Sequence, residues 1–421
     1  MTGRGVRAKN LWRVVDERMG RADLPLLAVS IHHGVVPRAS LTDDQPRADD
    51  LSSYKVVQQN DLVINRMRAF QGAVGLSPVL GIVSPDYLVL RSRAANPRYL
   101  HHLLRSHWMV GEMTARLRGI GSSEQGNVRT PRINAEELGE IRVSLPSSTD
   151  QRRIAEYLDA ATSAIGRLVR MRERQLALVD ERFEAEVFTA ITRGVAEPKE
   201  LRASPLVWAT QLPSNWTTPA VSHNFELQLG KMLNAEAASG ADQYPYVRNF
   251  NVHWDRFELD DLPTMHFSAE DRRRCELRSG DVLVCEGGEV GRSAVWEAQL
   301  EDCYFQKAIH RVRPRRGANS RYLMYCLRAA AKRSVFEVQG NTSTIVHLTG
   351  EQLRSHRFPW PPAWEQAAIV RELDSSAERV QALRGRLEHQ IRLLDERSRA
   401  LVTAAVTGHL DIAAEIAEHA S

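Results

Sequence analysis

Apolar residues recur at every third or fourth position over a long stretch of the chain, residues 150–192. This spacing is typical of a helix that packs along one face, as in a coiled coil. A helix of roughly 43 residues would be about 65 Å long. A single apolar stripe of that length predicts a helical partner. The stripe, which we call the first seam, contains Ile154, Leu158, Ile165, Leu168, Gln175 and Val179.

The same pattern returns without a gap 215 residues later, over residues 365–407. We therefore expect the two helices to pair as an antiparallel coiled coil. A polar residue at a seam position commonly fixes register at some cost in stability, so we predict that Gln175 and Gln390 lie in or beside the seam. The second seam contains Ile369, Leu373, Val380, Leu383, Gln390 and Leu394.

Short apolar runs broken by Gly, Pro, Asp and Asn precede each long helix and predict β-rich domains. In the first half we expect strands at 25–31, 61–65 and 87–91, and a helix from 97 to 118. Asn96 is placed to cap that helix and Pro97 occupies its first position. Residues 194–211 have little apolar periodicity and predict a linker.

The second half repeats the order of the first. Five short landmarks recur in one order at offsets of 214 to 223 residues, which predicts a tandem duplication of one domain followed by one helix. The predicted class is α+β with pseudo-two-fold symmetry. The predicted segments are domain 1 (1–149), a helix (150–193), the linker (194–211), domain 2 (212–363), a second helix (364–408) and a tail (409–421).

Composition narrows the class of protein. A chain of 421 residues with 43% hydrophobic residues suits two or more globular domains, and a net charge of +4 favours polyanionic partners only weakly. The four cysteines contain no C-x-x-C pair, so we predict reduced thiols and no zinc site. No apolar run reaches membrane-spanning length and the N-terminus has no signal-peptide core. We therefore expect a cytoplasmic protein without a membrane partner.

Motifs for catalysis do not appear. The sequence contains no nucleotide-binding P-loop, no G-x-G-x-x-G and no H-E-x-x-H. A nuclease-like pairing of Asp86 with Glu197 and Lys199 is less plausible than a solvated charge cluster in the linker. We predict no catalytic residues, no metal ligands and no cofactor in this chain.

A loop-to-helix signature occurs twice and carries a family resemblance. It reads Gly121-Ser122-Ser123-x-Gln125-Gly126-Asn127, then Leu145-Pro146 and Asp150-Gln151-x-x-Ile154-x-x-x-Leu158-Asp159; its second copy runs from Gly340-Asn341-Thr342-Ser343-Thr344 through Pro361-Pro362 to Glu365-Gln366-x-x-Ile369-x-x-x-Leu373-Asp374. The chain resembles the specificity subunits of type I restriction-modification systems over essentially its whole length. Asp150 replaces the usual Glu of the first copy.

The resemblance implies a non-catalytic subunit that binds double-stranded DNA. Each recognition domain would read one half of a split target, and the helices would set the spacer and dock two adenine-N6 methyltransferase subunits. S-adenosylmethionine would then belong to those partners, and ATP and Mg to restriction/translocase subunits. Domains on a helical spacer of this length can reach half-sites one helical turn apart, about 34 Å.

Polar loops before the long helices are the strongest candidates for DNA contact, because short polar side chains reach base edges and phosphates. Turn or capping roles are the alternative for these residues, and exposed surface charge is the alternative for the basic ones. The candidates are Ser122, Ser123, Gln125, Asn127, Arg129, Asn341, Thr342, Ser343 and Thr344 in the loops, with Arg66, Arg68, Arg292 and Lys307 after the strands.

Two other functions fit parts of the pattern. A coiled-coil scaffold with two ligand-binding β domains would have the same repeats without acting on DNA. A nuclease with an unfamiliar site would need a carboxylate-Lys or His-Cys constellation, which the sequence does not display. Salt-dependent DNA affinity distinguishes the first of these from a DNA-binding protein.

Overall fold

The computed structural model describes residues 5–18, 24–31, 34–41, 51–116, 132–196, 200–315, 317–337, 347–412 and 414–415. The chain forms two compact units. The first contains residues 1–173 and 388–421, and the second contains residues 174–387. Each unit therefore combines one β-rich domain with parts of both long helices.

The first unit contains domain 1. Its strands are β1 (Val6–Arg7), β2 (Trp12–Val15), β3 (Leu27–Ser30), β4 (Gly34–Pro37), β5 (Lys55–Val57), β6 (Leu62–Asn65), β7 (Val74–Leu76), β8 (Gly81–Val83), β9 (Tyr87–Ser92) and β10 (Arg142–Val143). Its helices are α1 (Pro97–Arg105), α2 (His107–Thr114), α3 (Ala135–Gly139) and the first part of α4 (Ser148–Arg193).

The second unit contains domain 2. Its strands are β11 (Leu201–Leu206), β12 (Ala209–Pro213), β13 (Phe225–Leu229), β14 (Gln243–Val247), β15 (Val252–His253), β16 (Arg256–Phe257), β17 (Thr264–His266), β18 (Val282–Cys285), β19 (Ser293–Val295), β20 (Tyr304–Phe305) and β21 (Ile309–Pro314). Its helices are α5 (Val221–Asn224), α6 (Ala235–Ser239), α7 (Ala269–Cys275), α8 (Ser320–Lys332) and α9 (Gly350–Ser355), together with the second part of α4 and the first part of α10 (Ala363–Thr407).

The central sheet has the same antiparallel order in both units. It is β2-β9-β6-β7 in the first unit and β13-β21-β18-β19 in the second. Alternate side chains of such a sheet face the core, and β6 and β18 are almost wholly buried apolar segments. The duplication predicted from sequence landmarks is thus repeated in strand order.

A buried ion pair also recurs at equivalent positions of the two sheets. Asp61 accepts two hydrogen bonds from the Arg91 guanidinium, both 2.8 Å long, and one from the backbone of Gln58. Asp281 accepts two from Arg313, both 2.7 Å long, and one from the backbone of Arg278. Both carboxylates are buried, and paired, hydrogen-bonded charges are the form in which burial is tolerated.

The junction between domain and long helix is repeated as well. Asn96 caps α1 and Asn319 caps α8, as the sequence predicts for Asn96. Gln151 donates its side-chain amide to the Pro146 carbonyl and Gln366 to the Pro361 carbonyl. The helix carboxylates Asp159 and Asp374 bind Arg98 and Arg321 respectively. The Gln and the final Asp of the repeated signature therefore fasten each long helix to its own domain.

The seam residues divide in the same way in both helices. Ile154 and Leu158 belong to the core of the first unit, and Ile369 and Leu373 to that of the second. Ile165, Val179, Val380 and Leu394 are half-buried, whereas Leu168, Gln175, Leu383 and Gln390 are exposed. Within the first unit, Gln390 lines a groove with Leu168 and Arg172 of α4. The placement of Gln175 in the seam stays a prediction.

Side-chain bonds within the second unit fix the direction of its two long-helix segments. The Arg384 guanidinium binds Asp180, and the Ser376 hydroxyl donates to Glu186 at 2.8 Å. A step forward along α4 thus corresponds to a step backward along α10, so these segments are antiparallel. The C-terminal end of α4 adds Phe183, Val187 and Ile191 to the same core.

Two predicted segments differ from the structure. The expected linker contains the hairpin β11–β12, whose Leu206, Ala209 and Leu212 lie in the second unit's core. Its charged and polar residues face outward, and its buried apolar residues do not follow the three- and four-residue spacing of a helix. The helix expected at 97–118 breaks at Ser106, which has an extended backbone and accepts a hydrogen bond from the Met109 amide to cap α2.

Among the described residues, none of the helices combines the length and the apolar character that a membrane span requires. The buried tryptophans Trp12, Trp216 and Trp296 belong to the cores.

Candidate nucleic-acid interface

The candidate site lies where a central strand ends and the segment after a predicted polar loop meets it. In domain 1, β6 is followed by Arg66, whose carbonyl accepts a 3.2 Å hydrogen bond from the Ile133 amide. In domain 2, β18 is followed by Glu286, whose carbonyl accepts a 2.7 Å bond from the Leu348 amide. The equivalent contact occurs in both domains, so this strand end is the fixed base of the site.

The loop candidates themselves lie outside the described residues. These are Ser122, Ser123, Gln125, Asn127 and Arg129 in domain 1, and Asn341, Thr342, Ser343 and Thr344 in domain 2. The flanking residues Ile133 and Leu348 are described, and they connect each loop to the strand end.

Arg66 and Arg68 have different surroundings. The Arg66 guanidinium donates to the Ile133 carbonyl at 3.1 Å and to the Asn134 side-chain oxygen. It therefore holds the chain that follows the polar loop. The Arg68 side chain is exposed next to it, so Arg68 presents the more accessible cation for a base edge or a phosphate.

Arg292 and Lys307 divide in the same manner in domain 2. Arg292 is mostly buried and donates to the backbone and side-chain oxygens of Asn249, both at 2.9 Å. Asn249 in turn donates its amide to the Gly287 carbonyl at 3.0 Å. Lys307 is exposed, while its backbone amide bonds to the Lys231 carbonyl at 2.7 Å. Arg292 thus shapes the strand end, and Lys307 is available to a ligand.

A cleft of 660 Å³ opens at the domain 2 strand end. Its chemically active side chains are Glu286, Lys307 and His347, and the full lining is Asn249, Glu286, Gly287, Gly288, Lys307, Ala308, His347 and Thr349. Sequence reasoning identified Lys307 but missed Glu286 and His347. The signal for Glu286 was present, because it stands 220 residues after Arg66 in the same register that aligns Asp281 with Asp61.

Two titratable groups, His310 and Asp271, are hydrogen-bonded to residues that neighbour the lining of this cleft. Burial lowers the pKa of His310, and the neutral ring bonds through Nε2 to the Leu348 carbonyl at 3.0 Å. Nearby, burial would raise the pKa of Asp271, but hydrogen bonds from Lys231 and Ser268 lower it to about 2. Both groups therefore keep one protonation state at neutral pH.

The described residues contain no group of three or more His, Cys, Asp or Glu side chains arranged to hold a metal ion. The four cysteines are buried and unpaired by disulfides. The geometry at the strand ends is that of a polar recognition surface built on a rigid sheet.

The family model described as "Type I restriction modification DNA specificity domain" matches residues 213–392. This part of the chain is therefore similar to that family of specificity domains. The match covers domain 2 and a large part of α10, and the repeated sheet order extends the same architecture to domain 1.

Two curated specificity subunits of type I restriction enzymes are similar to this chain at low identity. The specificity subunit of the type I restriction enzyme StySPI from Salmonella potsdam is 24% identical over 209 residues, which cover 48% of this chain and 45% of that protein. The specificity subunit of the EcoKI enzyme from Escherichia coli K12 is 20% identical over 279 residues, covering 64% of this chain and 58% of that protein. The chain thus spans about half the length of these relatives.

A solved structure supports the fold over the whole chain. It is a chain from work on complex assembly and conformational transition of the type I R-M system, with a TM-score of 0.72 and 19% identity. The similarity covers 97% of this chain and 98% of that chain. The fold of that chain, like the arrangement here of two β-rich domains each followed by a long helix, therefore extends over nearly the complete chain.

Proposed function

We propose that this protein is the DNA-binding specificity subunit of a type I restriction-modification complex. Each domain reads one half of a split DNA target, and the chain itself performs no catalysis. Methyl transfer to adenine N6 belongs to partner subunits that bind S-adenosylmethionine, and DNA cleavage to partners that use ATP and Mg.

The observation that carries this proposal is the duplication of a specificity-domain fold down to its individual contacts. The Asp-Arg pair beneath the sheet, the Asn cap and the strand-end bond to the segment after the polar loop all occur twice. A protein with two equivalent reading surfaces suits a ligand with two half-sites, and duplex DNA is such a ligand.

Exposed apolar residues on the long helices support the docking of methyltransferase subunits. In the first unit, Leu168, Met171 and Leu393 are exposed, and Leu168 and Leu393 line a groove of 290 Å³. In the second unit, Leu178 and Leu383 are exposed. Exposed apolar surface on a helix commonly marks a protein interface. We assign it to two methyltransferase subunits, one for each half of the pseudo-symmetric chain.

The candidate DNA residues fall into two groups within this proposal. Arg68 and Lys307 contact DNA directly, because their side chains are exposed at the strand ends. Arg66 and Arg292 position the surrounding backbone through the bonds described above. The remaining proposed base and phosphate contacts are the loop residues Ser122, Ser123, Gln125, Asn127, Arg129, Asn341, Thr342, Ser343 and Thr344.

Methylome sequencing tests the proposal. The chain is expressed with its methyltransferase in a host without other adenine methylation, and N6-methyladenine is mapped. We expect a split motif methylated in both halves. Exchanging residues 1–149 for another recognition domain is expected to change one half only. A continuous motif, or no motif together with salt-independent DNA affinity, refutes DNA reading and favours a scaffold.

A further inference from the structure

Position 286 differs in charge from its counterpart in the other domain. Arg66 and Glu286 each follow the equivalent central strand, and each accepts the equivalent backbone bond. The Arg66 guanidinium already donates hydrogen bonds to the Ile133 carbonyl and the Asn134 side chain. Among the residues that the structure describes, the Glu286 carboxylate makes no hydrogen bond and no ion pair, and it lines the cleft that also contains Lys307 and His347.

The backbone that carries Glu286 is held from several directions. Its amide donates to the Ala308 carbonyl at 2.9 Å, and its carbonyl accepts from the Leu348 amide at 2.7 Å. The next carbonyl, that of Gly287, accepts from the Asn249 side chain at 3.0 Å. A side chain on so rigid a base can discriminate between ligands that differ by a single polar atom.

A carboxylate on a DNA-binding surface has few acceptable partners. Phosphate oxygens repel it, and so do the acceptor atoms of guanine and thymine in the major groove. The donors in that groove are the amino groups at cytosine N4 and adenine N6. Adenine places the acceptor N7 beside its amino group, whereas cytosine places a nonpolar C5–H there. Cytosine therefore fits a carboxylate better.

We propose that Glu286 is a specificity-determining residue, and that its carboxylate accepts a hydrogen bond from the N4 amino group of a cytosine in the half-site read by domain 2. Lys307, in the same cleft, carries a positive charge that reduces the repulsion between the Glu286 carboxylate and the DNA phosphates. Glu286 also disfavours thymine and guanine at that position, because their acceptor atoms would face a carboxylate. This inference rests on the proposed function.

The decisive experiment removes only the amino group. The complex of this chain with its methyltransferase is titrated with duplexes in which each cytosine of the second half-site is replaced, one at a time, by 2-pyrimidinone, which lacks the N4 amino group. At one cytosine, the wild-type complex is expected to bind roughly 10- to 100-fold more weakly. The Glu286→Ala complex is expected to bind both duplexes equally.

Two further variants keep the result interpretable. Glu301→Gln changes an exposed carboxylate of the same domain outside the cleft, and it is expected to retain the wild-type loss at that cytosine. Glu286→Gln keeps the side-chain shape. Because an amide can pair with adenine N6 and N7, this variant is expected to reduce the preference for cytosine over adenine by about tenfold or more, even if the alanine variant folds poorly.

Several results overturn the assignment. These are equal binding of the wild-type complex to every substituted duplex, an unchanged loss in Glu286→Ala, and a second half-site made only of A·T pairs. They differ from failure of the proposed function, in which the wild-type complex has no split motif at all. A split motif with no dependence on Glu286 leaves the proposed function standing and removes only this inference.

Discussion

The buried pair of Asp281 and Arg313 makes a quantitative prediction about the second unit. The Asp281 side chain is 1% exposed and that of Arg313 is 18% exposed. In Asp281→Ala, Arg313 keeps its bond to the Glu276 carbonyl at 2.8 Å but loses its counter-charge, and the Arg278 amide loses its acceptor. Removing one partner of a buried pair costs about 3–5 kcal/mol, because a buried charge remains without compensation.

For a unit of this size, each kcal/mol of lost stability lowers the midpoint of thermal unfolding by about 2–4 °C. The midpoint of the second unit is therefore expected to fall by roughly 6–20 °C. Calorimetry of the full chain measures it, and Trp216 and Trp296, both in the second unit's core, report the same transition by fluorescence. Asp61→Ala is the matched control, because it removes the equivalent pair from the first unit. Asp61→Ala should lower the unfolding midpoint of the first unit and leave that of the second unit unchanged.

The double variant Asp281→Ala/Arg313→Leu separates a lost attraction from an uncompensated charge. It is expected to recover a large part of the stability, since no buried cation remains. A loss below about 1 kcal/mol in the single variant, or a double variant no more stable than the single one, refutes the reasoning. Because β18 begins directly after Asp281 and ends before Glu286, the single variant should also weaken reading of the second half-site alone.

Three further predictions concern pH, the domain-helix junction and salt. Burial between the Phe336 and Phe358 rings lowers the pKa of His356 to about 4. In the unfolded chain the pKa of this histidine is about 6.5, so the folded state is fully stable above that pH. As the pH falls from 6.5 toward 4, the unfolded chain takes up a proton that the folded protein does not, and the free energy of unfolding decreases by up to about 3 kcal/mol. Urea unfolding between pH 4.5 and 7 should show this slope, and His356→Phe should reduce it, although the buried His310 contributes in the same direction. Arg321→Ala breaks the bridge to Asp255 and Asp374 and is expected to cost about 1 kcal/mol, since these groups are partly exposed; thermal unfolding measures the loss, and unchanged stability contradicts it. DNA affinity should fall steeply with salt, and Lys307→Ala should reduce the log-log slope by about 0.9, whereas an unchanged slope excludes a phosphate contact.

Much of the fold was accessible from sequence because it depends on local chemistry that is repeated. The Asn96 cap, with Pro97 in the first turn, follows from the need to satisfy free amides at a helix start, and the structure confirms it. The strands at 61–65 and 87–91 correspond to β6 and β9. Duplication supplied a second, independent copy of each weak signal.

Features that depend on distant neighbours were not accessible. The sequence around Arg66 does not indicate that its guanidinium donates hydrogen bonds to Ile133 and Asn134, which lie 67 and 68 residues away. Likewise, the alternation in residues 201–213 indicates a hairpin only once the second unit's core is there to cover Leu206 and Leu212. Sequence reasoning therefore located the candidate surface by residue type but could not separate the positioning arginines from the exposed cations.

The two seams show most directly where periodicity stops being informative. A spacing of three and four residues identifies the apolar face of a helix but not the neighbour that covers it. Their first turns, at Ile154 and Ile369, lie in cores formed by the helix's own domain together with the far end of the other long helix. Further along, Leu168 and Leu383 are each 43% exposed. The exposure class of the side chain is the same at all six equivalent pairs of seam positions. The pattern of buried and exposed seam residues therefore reflects a requirement that both copies share. The uncovered middle of each seam still has apolar area to bury, and the proposed methyltransferase subunits would cover it.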